Sequence, residues 1–179
     1  SFKERGARNA LLLLPESARR TGVIAASAGN HAQGVAYHGS LLGIPVTVVM
    51  PQFAPLIKVT NCRKLGARVV LHGSDLAEAR AHAALLADRE GLTFIHPFDN
   101  ADVMAGQGTM ALEILEQTPD VDAIVVPVGG GGLLAGIGTA VRALKPGVTL
   151  VGVEPEHAAC LTAAIAAGKP VPVKVLPTL

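Results

Sequence analysis

Short apolar runs alternate along the chain with longer stretches whose apolar positions recur every three or four residues. The runs fall at residues 23–26, 46–50, 68–71, 123–128 and 149–153, and most are rich in Val and Ile. Near-continuous apolar character with β-branching predicts strands buried on both faces, the kind that build parallel sheets. Between them, helical periodicity predicts helices near residues 5–14, 31–42, 54–65, 75–90, 103–117, 133–144 and 158–167. Within 75–90, Leu76, Ala79, Ala83 and Leu86 form one apolar stripe that should face a sheet. Gly43, Gly66, Gly91 and Gly168 each follow a predicted helix, where a left-handed terminating residue is favoured. The alternation as a whole predicts an α/β fold, a parallel-type sheet with helices on both faces. A soft boundary is expected near Gly106-Gln107-Gly108, where a loop hands over to the next helix. It would separate two lobes around a cleft, and ligands of such sheets sit at the carboxyl ends of strands.

Composition narrows the function classes. The chain has 179 residues, 50% hydrophobic and 16% charged, which suits a buried core and not a disordered segment. A formal net charge of +1 without a basic block or aromatic platform argues against a nucleic-acid partner. No stretch reaches the roughly 18 consecutive apolar residues of a membrane span, so no membrane partner is expected. Cys62 and Cys160 fit neither a metal spacing nor a redox pair, and read as buried, reduced thiols of a cytoplasmic protein. The chain opens on Ser1 and closes on a Pro-rich stretch, as expected of a piece of a longer protein.

Three loops carry candidate chemistry. Val128-Gly129-Gly130-Gly131-Gly132-Leu133 joins a predicted strand to a predicted helix, and consecutive glycines there expose backbone N–H groups to an anion such as phosphate. Gly130, Gly132 and Ala135 also fit a relaxed dinucleotide-binding pattern, with Glu154 standing where a ribose-binding acid would be, so a nicotinamide oxidoreductase is a rival reading. A Walker A loop fails, because no Lys-Ser or Lys-Thr pair follows the glycines. The second loop, Ser27-Ala28-Gly29-Asn30-His31, gathers small polar groups at a helix start. They suit a carboxylate or phenolic oxygen, although helix capping by Ser27 or Asn30 explains them as well. In the third, Lys3 stands beside Phe2 ahead of a helix; burial there would depress its pKa and make it a usable amine nucleophile or base.

Taken together and in order, SFKERGA (1–7), ASAGNHAQG (26–34), GQGT (106–109), VPVGGGGLLAGI (126–137) and GVEPEHAACL (152–161) resemble the fold type II pyridoxal-phosphate enzymes, in their threonine ammonia-lyase (threonine dehydratase) and serine dehydratase branch. The resemblance implies the two-lobed, tryptophan synthase beta-like fold. Residues 1–21 and 106–179 would belong to the larger cofactor lobe, and 22–105 to a smaller lobe carrying the Ser27–His31 loop. It implies pyridoxal 5'-phosphate as cofactor, with Lys3 as its Schiff-base lysine and Phe2 packed beside it. Gly129, Gly130, Gly131, Gly132 and Leu133 would offer main-chain N–H groups to its phosphate, and Asn30 would bond the ring 3-hydroxyl. Ser27, Ala28, Gly29, Asn30 and His31 would grip the carboxylate of a small amino-acid substrate.

The implied chemistry is elimination. The cofactor imine acidifies the substrate Cα–H, the freed Lys3 amine takes that proton, and the β-hydroxyl leaves. The released enamine tautomerises and hydrolyses to ammonia and a 2-oxo acid, 2-oxobutanoate from threonine and pyruvate from serine. Serine racemases look to place a Ser immediately before the Gly-Asn of this loop; Ala28 stands there, which favours elimination over racemisation. Cysteine-synthase relatives carry a Thr-Ser-Gly-Asn-Thr type loop instead. Some relatives bind a cation after the strand ending at Glu154, with the carbonyl near Ala158 and an acid two residues on. Cys160 occupies that last position, so no metal is expected and Glu154 and Ala158 are weak candidates. Such enzymes normally have several dozen residues before the Schiff-base lysine and further sheet after the point where this chain stops, including a Ser, Thr or Cys facing the pyridine nitrogen. A homo-oligomer is expected at full length, and an inactive fragment or phosphate-binding module is the alternative for the chain alone.

Overall fold

The computed structural model describes residues 1–173. The chain falls into two compact units that divide between Gly106 and Gln107.

Side-chain alternation explains how the first unit is built. β1 (Val23–Ala26), β2 (Val46–Met50), β3 (Arg68–Leu71) and β4 (Thr93–Phe94) are all parallel and lie in the order β3-β2-β1-β4, with Val23 opposite both Val46 and Thr93. Successive strand side chains point to opposite faces. Val23 and Ala25 of β1 therefore join Val46, Val48 and Met50 of β2 in one core layer, while Ile24, Ala26 and Val49 enter the other. The first layer is closed by α1 (Lys3–Leu12), α3 (Asn30–Leu42) and α4 (Leu56–Lys64), through Ala7, Leu11, Val35, Val59 and Cys62. The second is closed by α5 (Leu76–Glu90), through Ala79, Ala83, Leu86 and Ala87. Leu76 departs from the expected stripe: it is exposed in the first turn, and Ala87 completes the buried face instead. Asp75 caps this helix, accepting from the Glu78 N–H at 2.9 Å, while the Glu78 carboxylate reaches back to the Ser74 N–H at 2.7 Å.

The second unit carries β5 (Ala123–Pro127) and β6 (Thr149–Val153), a parallel pair with Ala123 opposite Thr149, together with α7 (Gly132–Leu144) and α8 (Cys160–Ala167). Among the described residues, burial of this pair is one-sided. Ile124 and Val126 are buried while Ala123, Val125 and Pro127 are exposed, because α7 packs on one face of the pair through its apolar side. The division between units falls inside α6 (Ala101–Gln117), not in a loop before it. Cys62 is fully buried as expected, but Cys160 opens α8 and is only half-buried; both are free thiols. Among the described residues, no helix is long and apolar enough to cross a membrane.

Helix α1 is seated by close backbone contact. A Cβ on Gly106 of α6 would stand 2.6 Å from both the Arg5 carbonyl oxygen and the Gly6 Cα, and one on Gly34 of α3 would stand 3.1 Å from the Glu4 Cα. Only glycine lets α6 lie this near the first turns of α1. Overpacking of this kind typically costs about 1–3 kcal/mol. Gly106→Ala should therefore lower stability by about that amount in urea unfolding, whereas Gly147→Ala, with no atom within 4 Å of the new methyl, should be close to neutral.

Candidate active site

The first unit brings Phe2, Lys3 and His31 to one segment, residues 95–98. Lys3 begins α1 and its Nζ donates to the Pro97 carbonyl at 2.5 Å. The same nitrogen lies 5.3 Å from the Phe2 ring and 5.9 Å from the Phe98 ring, within cation–π range. Burial pushes the Lys3 amine below its ordinary pKa, since the charged form loses hydration. The result is an amine that gives up its proton more readily than a solvated lysine, as a base or nucleophile must.

Ser27–Gly29 joins β1 to α3 at the carboxyl end of the strand, and Asn30 and His31 open the helix. Gly29, not Ser27 or Asn30, is the N-cap of α3, and no side chain caps it. Ser27 instead closes a tight turn, its Oγ accepting from the Gly29 N–H at 3.1 Å. The N–H groups of the first turn are thus left to an incoming anion, where the helix dipole also favours negative charge. Asn30 is exposed and its Oδ1 accepts from Lys58 Nζ at 3.2 Å, which leaves the amide N–H groups as its donors. A cleft of about 340 Å³ opens beside this helix start, between Asn30, Gln33 and Tyr37 of α3, Glu4 of α1 and Lys58 of α4.

His31 is buried and reaches across the sheet end, with Nε2 2.9 Å from the Ile95 carbonyl oxygen. That contact requires the proton on Nε2 and leaves Nδ1 as a buried acceptor without a partner among the described residues. Burial lowers its pKa to about 4; the bond to Ile95 opposes the shift, and the nearby Lys3 and His96 charges add to it. His96 is likewise lowered, chiefly by burial, and its Nδ1 accepts the Asp99 N–H at 2.8 Å and the Phe98 N–H at 3.4 Å. His96, Pro97 and Phe98 were not singled out from the sequence. The available signal was a His-Pro pair just before Asn100, whose side chain caps α6 by accepting from the Val103 N–H at 2.9 Å.

Described by itself, the second unit supplies the tetraglycine turn between β5 and α7. Gly131 is the N-cap of α7 with φ of 84°, a conformation that side-chain-bearing residues rarely adopt. Among the described residues, nothing lies within 4 Å of where a Cβ on Gly129 or Gly131 would be. Gly132 and Leu133 open the helix, with first-turn N–H groups that have no intrahelical acceptor. Glu154 turns inward to α8: one carboxylate oxygen accepts from the Leu161 N–H at 2.6 Å, the other from the Thr162 N–H at 2.9 Å and hydroxyl at 3.0 Å. These bonds, the one to Leu161 first, hold its carboxyl below the usual range. A carboxylate occupied in capping a helix is a poor ribose or cation ligand, and no group of three or more metal-binding side chains occurs among the described residues.

The His31 environment fixes a pH dependence. Its folded pKa lies below the unfolded value, so the unfolded chain binds the extra proton between about pH 6.5 and 4; stability is present above that window and lost on acidification through it. The loss should approach about 3 kcal/mol. Denaturant titrations at neutral and acid pH should show a flatter profile for His31→Gln than for the wild type.

Comparison with known proteins gives the chain a family. The family model described as "Pyridoxal-phosphate dependent enzyme" matches residues 1–179. The L-threonine ammonia-lyase of Thermotoga maritima is 48% identical over 179 residues, covering 100% of this chain but only 45% of that protein. Among solved structures, the processed form of threonine deaminase isoform 2 from Solanum lycopersicum superposes with a TM-score of 0.95 at 44% identity, over 99% of this chain and 52% of its own. Maize serine racemase superposes with a TM-score of 0.92 at 35% identity, over 99% and 53%. The chain thus spans about half the length of such relatives and carries the parallel, helix-covered architecture of fold type II. With the match running from end to end, the chain belongs to the pyridoxal-phosphate dependent enzyme family.

Proposed function

We propose that the protein of which this chain is part deaminates L-threonine, and L-serine as a second substrate, to a 2-oxo acid and ammonia. The observation that carries the reading is the Lys3 amine: half-buried, lowered in pKa, and held between two aromatic rings beside the open start of α3. The residues suit pyridoxal 5'-phosphate. Gly129, Gly130, Gly131, Gly132 and Leu133 offer main-chain N–H groups at a helix start, as a phosphate needs. Asn30 keeps amide donors for a phenolic oxygen. When bound, the cofactor supplies the electron sink that acidifies the substrate Cα–H.

The chain's own groups do the rest. Lys3 Nζ takes the Cα proton. The first-turn main-chain N–H groups of α3, that of His31 included, with Ser27, Gly29 and Asn30 around them, hold the substrate carboxylate. Ala28 brings no hydroxyl, so the loop has no acid at that position to return a proton to the opposite face, which favours elimination over racemisation. Phe2 shields the amine from water. In the longer protein, residues 1–21 and 106–179 would form the cofactor lobe and 22–105 the smaller lobe, within a cytoplasmic homo-oligomer. Similarity to the named threonine ammonia-lyase and threonine deaminase supports the choice of substrate over the nicotinamide reading.

The test is product formation by the longer protein supplied with cofactor. L-threonine should yield 2-oxobutanoate and ammonia in equal amounts, and L-serine pyruvate and ammonia. Lys3→Ala should slow release by about 100-fold or more, the usual contribution of a positioned base. A Lys3→Ala protein with the wild-type rate contradicts the reading, and cofactor binding without ammonia release points to a binding module.

A further inference from the structure

We infer that His96 is a positioning residue, holding the turn 96–99 so that the Pro97 carbonyl receives the Lys3 amine once that amine carries the substrate's proton. The inference rests on Lys3 being the reacting amine, as proposed above.

The segment from Ile95 to Asn100 is tied at both ends. The Ile95 N–H donates to the Ile24 carbonyl at 2.9 Å, extending the β1–β4 pairing, and the Ile95 carbonyl is engaged by His31. At the other end Asn100 is committed to capping α6. Between these anchors, the contact that shapes the turn is His96 Nδ1, which accepts the N–H groups two and three residues ahead. Asn and Asp side chains close turns by the same pattern. An imidazole can do so only with Nδ1 unprotonated, which its partly buried position favours. Pro97 has no N–H of its own and a fixed φ, so the turn alone decides where its carbonyl points, and it points at Lys3 Nζ.

The chemistry gives that carbonyl a task. When Lys3 acts as base, the Cα–H bond breaks and an N–H bond forms; the electron pair left at Cα makes the Cα–Cβ double bond as the Cβ–O bond breaks, and the departing hydroxide takes a solvent proton to leave as water, the bound cofactor supplying the electron sink. The amine becomes an ammonium at a half-buried position. An acceptor at hydrogen-bond distance and the Phe2 and Phe98 rings stabilise that ammonium, while burial opposes it. Without the Pro97 carbonyl in place, the amine would hold the proton less firmly.

Competitive acetylation with trace acetic anhydride, read by mass spectrometry over a range of pH, measures the proton affinity of Lys3 against Lys64 as internal reference. His96→Phe keeps an aromatic ring but has no acceptor; it should lower the Lys3 midpoint by roughly one to two pH units, the worth of one hydrogen bond to a charged group. His96→Asn loses the ring but keeps an acceptor for the same N–H groups, and should titrate as the wild type. The titratable groups facing Lys3 are His31 and His96; both are neutral in the alkaline window, so losing the His96 ring removes no charge there. A Lys3 midpoint unchanged in His96→Phe, or shifted in His96→Asn as far as in His96→Phe, overturns the inference. Should the Phe variant not fold, a shifted midpoint in His96→Asn overturns it alone, and a wild-type midpoint there supports it. Because this readout needs no cofactor, it separates from the product assay: the predicted shift without ammonia release sinks the lyase reading only, and ammonia release without the shift sinks only the role of His96.

Discussion

An ammonium half withdrawn from water is the constraint around which the first unit is arranged. Burial lowers the proton affinity of Lys3, which makes the amine usable, and the Pro97 carbonyl with two aromatic rings keeps the charged form tolerable. Both effects depend on where α1 sits. Its seat is set by backbone contact at Gly34 and Gly106, and the opposing carbonyl by a turn that continues from the end of β4. The parallel sheet matters to function mainly because the carboxyl ends of β1 and β4 deliver the α3 start and residues 95–98 to the same place.

The sequence made legible those elements whose burial is written into consecutive residues. β1 is an unbroken apolar run and β2 is broken only by the buried Thr47, because both faces are covered, and the runs match the strands residue for residue. β4 was not found: two residues, Thr93 and Phe94, give no periodicity, and the strand exists only through pairing with Val23 and Ile24. α2 (Glu16–Thr21) was hidden behind Pro15, which reads as a stop although proline is tolerated at the start of a helix. The β5–β6 pair is legible as strands, but which of its faces the described residues cover is not, since β-branched composition does not distinguish a strand covered on two faces from one covered on a single face.

The candidate site was legible in a different way. Glycines at 129–132 and the polar loop at 27–31 are local features with local physical reasons. Lys3 was marked only by the company of the other motifs. The segment that faces it, His96 to Phe98, lies 94 residues away along the chain at its Pro97 contact, and no local pattern announces a contact of that span. The cap reading for Ser27 and Asn30 missed for a related reason: Gly29 takes the cap position because a turn closed by Ser27 brings it there, which leaves the first-turn N–H groups without side-chain acceptors.

Six lysines along the chain give the central claim a direct comparison: Lys3 against Lys58, Lys64, Lys145, Lys169 and Lys174. Incubating the protein with pyridoxal 5'-phosphate, reducing with borohydride and mapping the modified peptides measures which amine forms the covalent bond. The account predicts one phosphopyridoxyl group per chain, on Lys3. Label spread over the surface lysines with Lys3 unmodified would contradict it.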